Sequence, residues 1–202
     1  MNLALEPWLE QSARWPAAGE HVLAQFDAGS IVVYQAYRPA IGHWAIARQR
    51  LGGPDFSFDR MSWIKPNFLW MMYRSGWGTK PGQEVTIGLR LRRAFFDGLL
   101  RDAVASSFDP RRHATHDDWA AAVAASDVRL QWDPDHGPDG AKLARRAVQL
   151  GLRGAALRAL AGEALLEVID VSPLVEAQRP HVAGDRSRLL MPAEHVYEPA
   201  PR

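Results

Sequence analysis

The chain contains no cysteine. That excludes disulfides, a thiol nucleophile and a zinc–thiolate centre, and it fits a cytoplasmic protein. No apolar run approaches the roughly 20 residues needed to cross a bilayer, so no membrane partner is expected. Residues Met1 to Glu20 lack a basic-then-apolar leader pattern. Charge of either sign is not in excess: the formal net charge is +1, so contact with nucleic acid would need a local arginine patch. Lysine is nearly absent, with three among 24 basic residues, and asparagine occurs twice. No glutamate lies between Arg90 and Gly162. There is no Gly-x-Ser-x-Gly elbow, no phosphate-binding Walker loop and no dinucleotide fingerprint.

What is present is concentrated. Arg60 to Trp77 holds three of the eight tryptophans, three of the five methionines, the lysine Lys65 and the asparagine Asn67. Rare polar residues set among aromatics mark a candidate site. An apolar fraction of 47% is ample for one core, and 202 residues fit one domain. The expected layout is an extension over residues 1–20, a domain over 21–195 and a tail over 196–202.

Val22 to Phe26, the turn Asp27–Ser30 and Ile31 to Tyr37 read as a hairpin. Pro39 opens a helix through Arg50 that Gly52-Gly53 stops. Arg60 to Ile64 reads as a strand, with Pro66 at the first position of a helix over Phe68–Arg74 that ends at Gly76. Glu84 to Arg92 alternates as a strand, and Ala94–Ala105 and Asp117–Ala125 read as helices. Val128 to Trp132 reads as a strand entering a turn at Asp133–Gly140. Lys142 to Leu160 has helical propensity interrupted by Gly151 and Gly154; the preferred division is a strand over Ala147–Leu152 and a helix over Gly154–Ala161. Leu165 to Val171 is a strand, Ser172 caps a short helix, and Leu189-Leu190-Met191 pins the tail to the body. Hairpins mixed with helices predict an α+β fold with a mainly antiparallel sheet.

Several blocks resemble a known family. Val33-Tyr34-Gln35-Ala36-Tyr37, Met61 to Pro66, Phe68 to Trp77, Gln131-Trp132-Asp133-Pro134 and Arg146 to Gly154 are similar to the bacterial and fungal family called domain of unknown function 4291, over roughly residues 20–195. That family carries no established activity. A second resemblance is one of layout, to ADP-ribosyltransferase-like domains with a split antiparallel sheet. Tyr34-Gln35 stands where those domains carry Tyr followed by His or Arg. Met61–Arg74 matches their strand-to-helix unit, and Ala147–Val171 their closing strand, helix and strand. Two departures stand out. Gln35 replaces the basic residue, and the glutamate of the third motif is missing, with Arg146 or Gln149 in its region. The resemblance implies glycosyl or phosphoryl transfer, nearer the RNA 2′-phosphotransferase-like branch, with NAD as a candidate cofactor.

The residues themselves supply candidates. Lys65, at a strand-to-helix junction, predicts a phosphate site built from its charge and the free N–H groups of the helix; the competing reading is a lysine reaching past Trp63 to solvent. Gln35 is the one polar residue in an apolar strand and needs a buried partner or a ligand. Gln35, Lys65 and Gln149 are the candidate catalytic residues. Tyr37, Arg38, Trp63, Arg74, Arg146 and Arg153 are the candidate ligand contacts, with Trp63 or Tyr37 stacking on a base. Gln149 and Arg153 share a face whether their segment is strand or helix. Asp133, Asp135 and Asp139 lack calcium-loop spacing and read as a turn, and His113 and His116 offer too few ligands, so no metal is expected. The expected partner is a nucleotide or a nucleic-acid end. The alternatives are a binding module without catalysis and a protein-interaction domain whose Trp-rich block is core.

Overall fold

A computed structural model describes residues 3–199. The chain opens with β1 (Leu5–Pro7), α1 (Trp8–Ser12), β2 (Gly19–Glu20) and β3 (Leu23–Ala24). Then come β4 (Ser30–Tyr37), α2 (Pro39–Arg48), β5 (Ser62–Ile64), α3 (Phe68–Ser75) and β6 (Val85–Arg92). The middle holds α4 (Arg93–Asp102), β7 (Val104–Ala105), α5 (His116–Ala125), β8 (Val128–His136) and β9 (Lys142–Leu152). The rest is α6 (Gly154–Ala161), β10 (Leu165–Asp170), α7 (Ser172–Gln178), β11 (Leu190–Pro192) and β12 (His195–Val196).

The strands form two principal sheets. One is antiparallel, in the order β10-β6-β4. The other runs β2-β9-β8-β7, with β5 also on β9. Their facing edges touch at one bridge, where Tyr34 N–H donates to the Lys65 carbonyl at 2.7 Å and Lys65 N–H to the Tyr34 carbonyl at 3.1 Å. The sheet is therefore split: β4 and β5 are joined there and separate beyond it. Strand alternation divides the interior along β4. Ile31 and Val33 enter one apolar cluster, with Ile64, Leu89 and Leu150. Val32 and Tyr34 enter the other, with Phe68, Met72 and Met191. Each such buried side chain contributes about 1.5–3 kcal/mol. The architecture is α+β in a single domain, as the sequence predicts.

Helix α3 positions one wall of the site. Phe68 to Ser75 has no proline, glycine or β-branched residue. Asn67 caps it, its Oδ1 accepting from Trp70 N–H at 2.7 Å, and Gly76 ends it at φ 57°, where a side chain would be strained. The helix docks on β8 through His136, whose ring stacks on Tyr73 with centroids 3.5 Å apart.

Several expectations are corrected. Pro66 lies one residue before the cap rather than inside the helix. The Asp27 turn forms, but the hairpin shrinks to the Phe26–Ile31 bridge, because β3 pairs with β12 and β4 takes β6 as its ladder partner. Helix α2 stops at Gln49, at φ 52°, before the glycines; the Gln49 amide bonds both backbone groups of Val168 and fixes the helix end to β10. Asp133, Asp135 and His136 are strand residues of β8, since the ladder with β9 continues past Trp132. Val104–Ala105 leaves helix α4 to pair with β8. Ser172 makes no cap; its hydroxyl accepts from Thr86 N–H at 3.1 Å. The segment after Arg186 is pinned as expected, by β11 on β1.

Candidate functional site

Beyond the Tyr34–Lys65 bridge the two half-sheets part, and a cavity of about 620 Å³ opens between them. Strand β4 supplies Gln35 and Tyr37, and its exit supplies Arg38. Strand β5 supplies Ser62 and Trp63, followed by Lys65. Arg74 comes from α3 and Arg60 from the loop before β5. The volume falls in the range of small-molecule and cofactor sites.

Lys65 is the central feature. It is 6% exposed. Its backbone is used in the bridge, while its ammonium has no hydrogen bond or ion pair among the described residues. Burial first, and the Arg74 guanidinium second, lower its pKa to about 8; the Asp133 carboxylate opposes them. Asp133 acts from a distance, because its oxygens accept from Gln131 Nε2 at 2.9 Å and Gln149 Nε2 at 2.8 Å. Arg60 and Arg74 are exposed and also make no hydrogen bond or ion pair among the described residues. Arg38 is held by Asp55 at 2.6 Å on the rim; exposed as it is, that pair is worth at most about 1 kcal/mol. Among the described residues lining the cavity, Asp55 is the one carboxylate.

Gln35 has its partner inside the protein. Its Nε2 donates to Ser62 Oγ at 2.7 Å and to the Trp63 carbonyl at 3.2 Å, and its Oε1 accepts from the Tyr37 hydroxyl at 2.9 Å. Ser62 Oγ and the Tyr37 hydroxyl are 3.2 Å apart, which closes the ring. Burial pushes the Tyr37 phenol up to about 12, against the Ser62 hydrogen bond, so it is neutral at ordinary pH. Gln35 thus ties β4 to β5 where they part, and it orients two hydroxyls toward the cavity. Trp63 is seated by Gly151: a Cβ there would lie 2.6 Å from Met61 Sδ and 3.0 Å from the indole.

The predicted anion site at the start of α3 is filled by the protein itself. Glu194 is wholly buried, and its carboxylate accepts from Phe68 N–H at 2.6 Å and from Asn67 Nδ2 at 3.0 Å. Glu194 thus answers that donor of the helix terminus from within the chain. Burial holds the Glu194 carboxyl well above its ordinary range.

Gln35, Tyr37, Arg38, Trp63, Lys65 and Arg74 are therefore brought together, whereas Arg146, Gln149 and Arg153 do not line this cavity. Arg146 donates to the Trp132 carbonyl at 2.6 Å and lines a separate groove with Arg111 and Arg112. Gln149 faces Gln131 across the ladder and holds Asp133. Arg153 donates to the Ala124 carbonyl at 2.5 Å and to the Ser126 carbonyl at 3.2 Å, answering the free carbonyls that end α5. Sequence reasoning passed over Ser62 and Glu194. Ser62 lies beside Trp63 in the block already singled out. Glu194 had no local signal, because its partners are 126 and 127 residues away.

The family model described as "Domain of unknown function (DUF4291)" matches residues 21–197. The chain belongs to that family. Among curated proteins no sequence matches it.

Proposed function

We propose that this family member binds a nucleotide, or the phosphate-bearing end of a nucleic acid, in the cavity between β4 and β5. The observation that carries the reading is Lys65, a buried cation without an anion among the described residues, at a cavity flanked by two further guanidiniums that are likewise unpaired among them. A buried charge is costly until it is paired. A phosphate between Lys65, Arg60 and Arg74 would pair it, and Trp63 offers an aromatic surface for a base. The finer reading is an ADP-ribosyltransferase-like or RNA 2′-phosphotransferase-like enzyme using NAD. The split sheet, with its cavity at the parting, supports it. Transfer there would rely on cationic stabilisation of a phosphate or oxyanion, because Asp55, the one lining carboxylate among the described residues, already pairs with Arg38. That same carboxylate favours, as the second reading, a binding module without catalysis.

Calorimetric titration with NAD, ADP-ribose and a 5′-phosphorylated oligonucleotide tests the proposal. At least one should bind, and Lys65→Ala should weaken it by about 1–3 kcal/mol, the loss of one charge-assisted contact. Near pH 8 binding should take up protons, seen as a buffer-dependent enthalpy, because an anion returns the Lys65 pKa toward 10.5. If none binds, or the variant binds like the parent, the interaction-domain reading replaces this one.

A further inference from the structure

The cavity presents an amine as well as a charge. Lys65 is buried, its Nζ has no partner among the described residues, and it shares the cavity with Trp63, Met71 and the guanidinium of Arg74. Lysines become nucleophiles in such settings, desolvated and beside another cation. We propose that Lys65 forms an imine with the open-chain carbonyl of a small phosphorylated aldose, while Arg60 and Arg74 hold the phosphate. This deepens the anion-binding reading of the same cavity and rests on it.

The step balances without a further reactant. The neutral amine attacks the carbonyl carbon and a C–N bond forms. The carbonyl oxygen leaves as water with the two protons that the amine carried, and the imine nitrogen remains. The tied hydroxyls of Tyr37 and Ser62 offer hydrogen-bonding groups to the sugar.

The charged surroundings favour the reactive form. Burial, and then Arg74 from α3, disfavour the ammonium, and Asp133 from β8 opposes them with the smallest effect. Arg60 lies on the preceding loop, Tyr37 of β4 is neutral, and Gln149 of β9 is an uncharged amide. With a pKa of about 8 rather than 10.5, Lys65 holds on the order of 300 times more neutral amine at pH 7 than an exposed lysine.

The chain has only two other lysines, the exposed Lys80 and Lys142, so labelling is easily mapped. The probe is pyridoxal 5′-phosphate, which carries an aldehyde, a ring and a phosphate. After borohydride reduction and digestion, Lys65 should carry at least tenfold more label than Lys80 or Lys142 at pH 7. Inorganic phosphate should protect it, and Lys65→Arg should leave its peptide unlabelled. Arg74→Gln should move the pH profile of labelling upward, which a purely structural arginine would not do. Ribose 5-phosphate and ADP-ribose, each with cyanoborohydride, then separate a free sugar phosphate from the terminal sugar of a nucleoside diphosphate. An adduct with either supports the proposal. Even labelling of all three lysines, or no adduct with either sugar, overturns it. If the sugars then still compete with a reversible phosphate ligand, the imine alone falls and anion binding stands. Equal labelling of Lys65 by pyridoxal, without phosphate protection, overturns both.

Discussion

Replacing Lys65 by methionine should make the protein more stable and weaken its ligand binding. The folded pKa is about 8 against an ordinary 10.5. Between those values the unfolded chain holds a proton that the folded chain has released, so stability rises with pH across that window. Below about pH 8 the native state carries the whole cost of charging the buried Lys65, about 3 kcal/mol by linkage. Methionine fills a similar volume without charge. At pH 7 the variant should therefore melt roughly 5–10 °C above the parent, and the gap should close as pH rises toward 10. Scanning calorimetry of both proteins at pH 7 and pH 10 measures this. A variant that melts at or below the parent at pH 7, or a gap that ignores pH, would refute the reasoning, since the ammonium would then have a stabilising partner. A charge kept where it destabilises the fold is a mark of function.

Two further outcomes follow from the supporting structure. Arg145→Met should cost about 3–5 kcal/mol in urea denaturation, because Arg145 pairs with the buried Asp135 at 2.6 Å and also holds the Pro16 carbonyl at 2.7 Å; a loss under 1 kcal/mol would show that the pair is dispensable. Gly151→Ala should weaken ligand binding more than it lowers the thermal midpoint, because the new methyl displaces Met61 and Trp63 at the cavity wall rather than in the central core; unchanged affinity would remove Trp63 from the site.

Local sequence signals were enough for the α+β class and most of the elements. Alternation marked β4 and β6, proline opened α2, and Gly76 closed α3, because these signals act within a few residues. Clustering of scarce residues also located the block that carries Ser62, Trp63, Lys65 and Arg74. Which polar groups remain free was set by packing between distant segments. Gln35 needed a buried partner or a ligand, and its partners are Ser62, Trp63 and Tyr37. Arg153 looked like a phosphate contact and is taken by the carbonyls ending α5. The helix terminus beside Lys65 looked open and is closed by Glu194 from the far end of the chain. Local pattern reports which face a residue takes. Whether its hydrogen bonds are already satisfied depends on groups remote in sequence, and only packing brings those into reach.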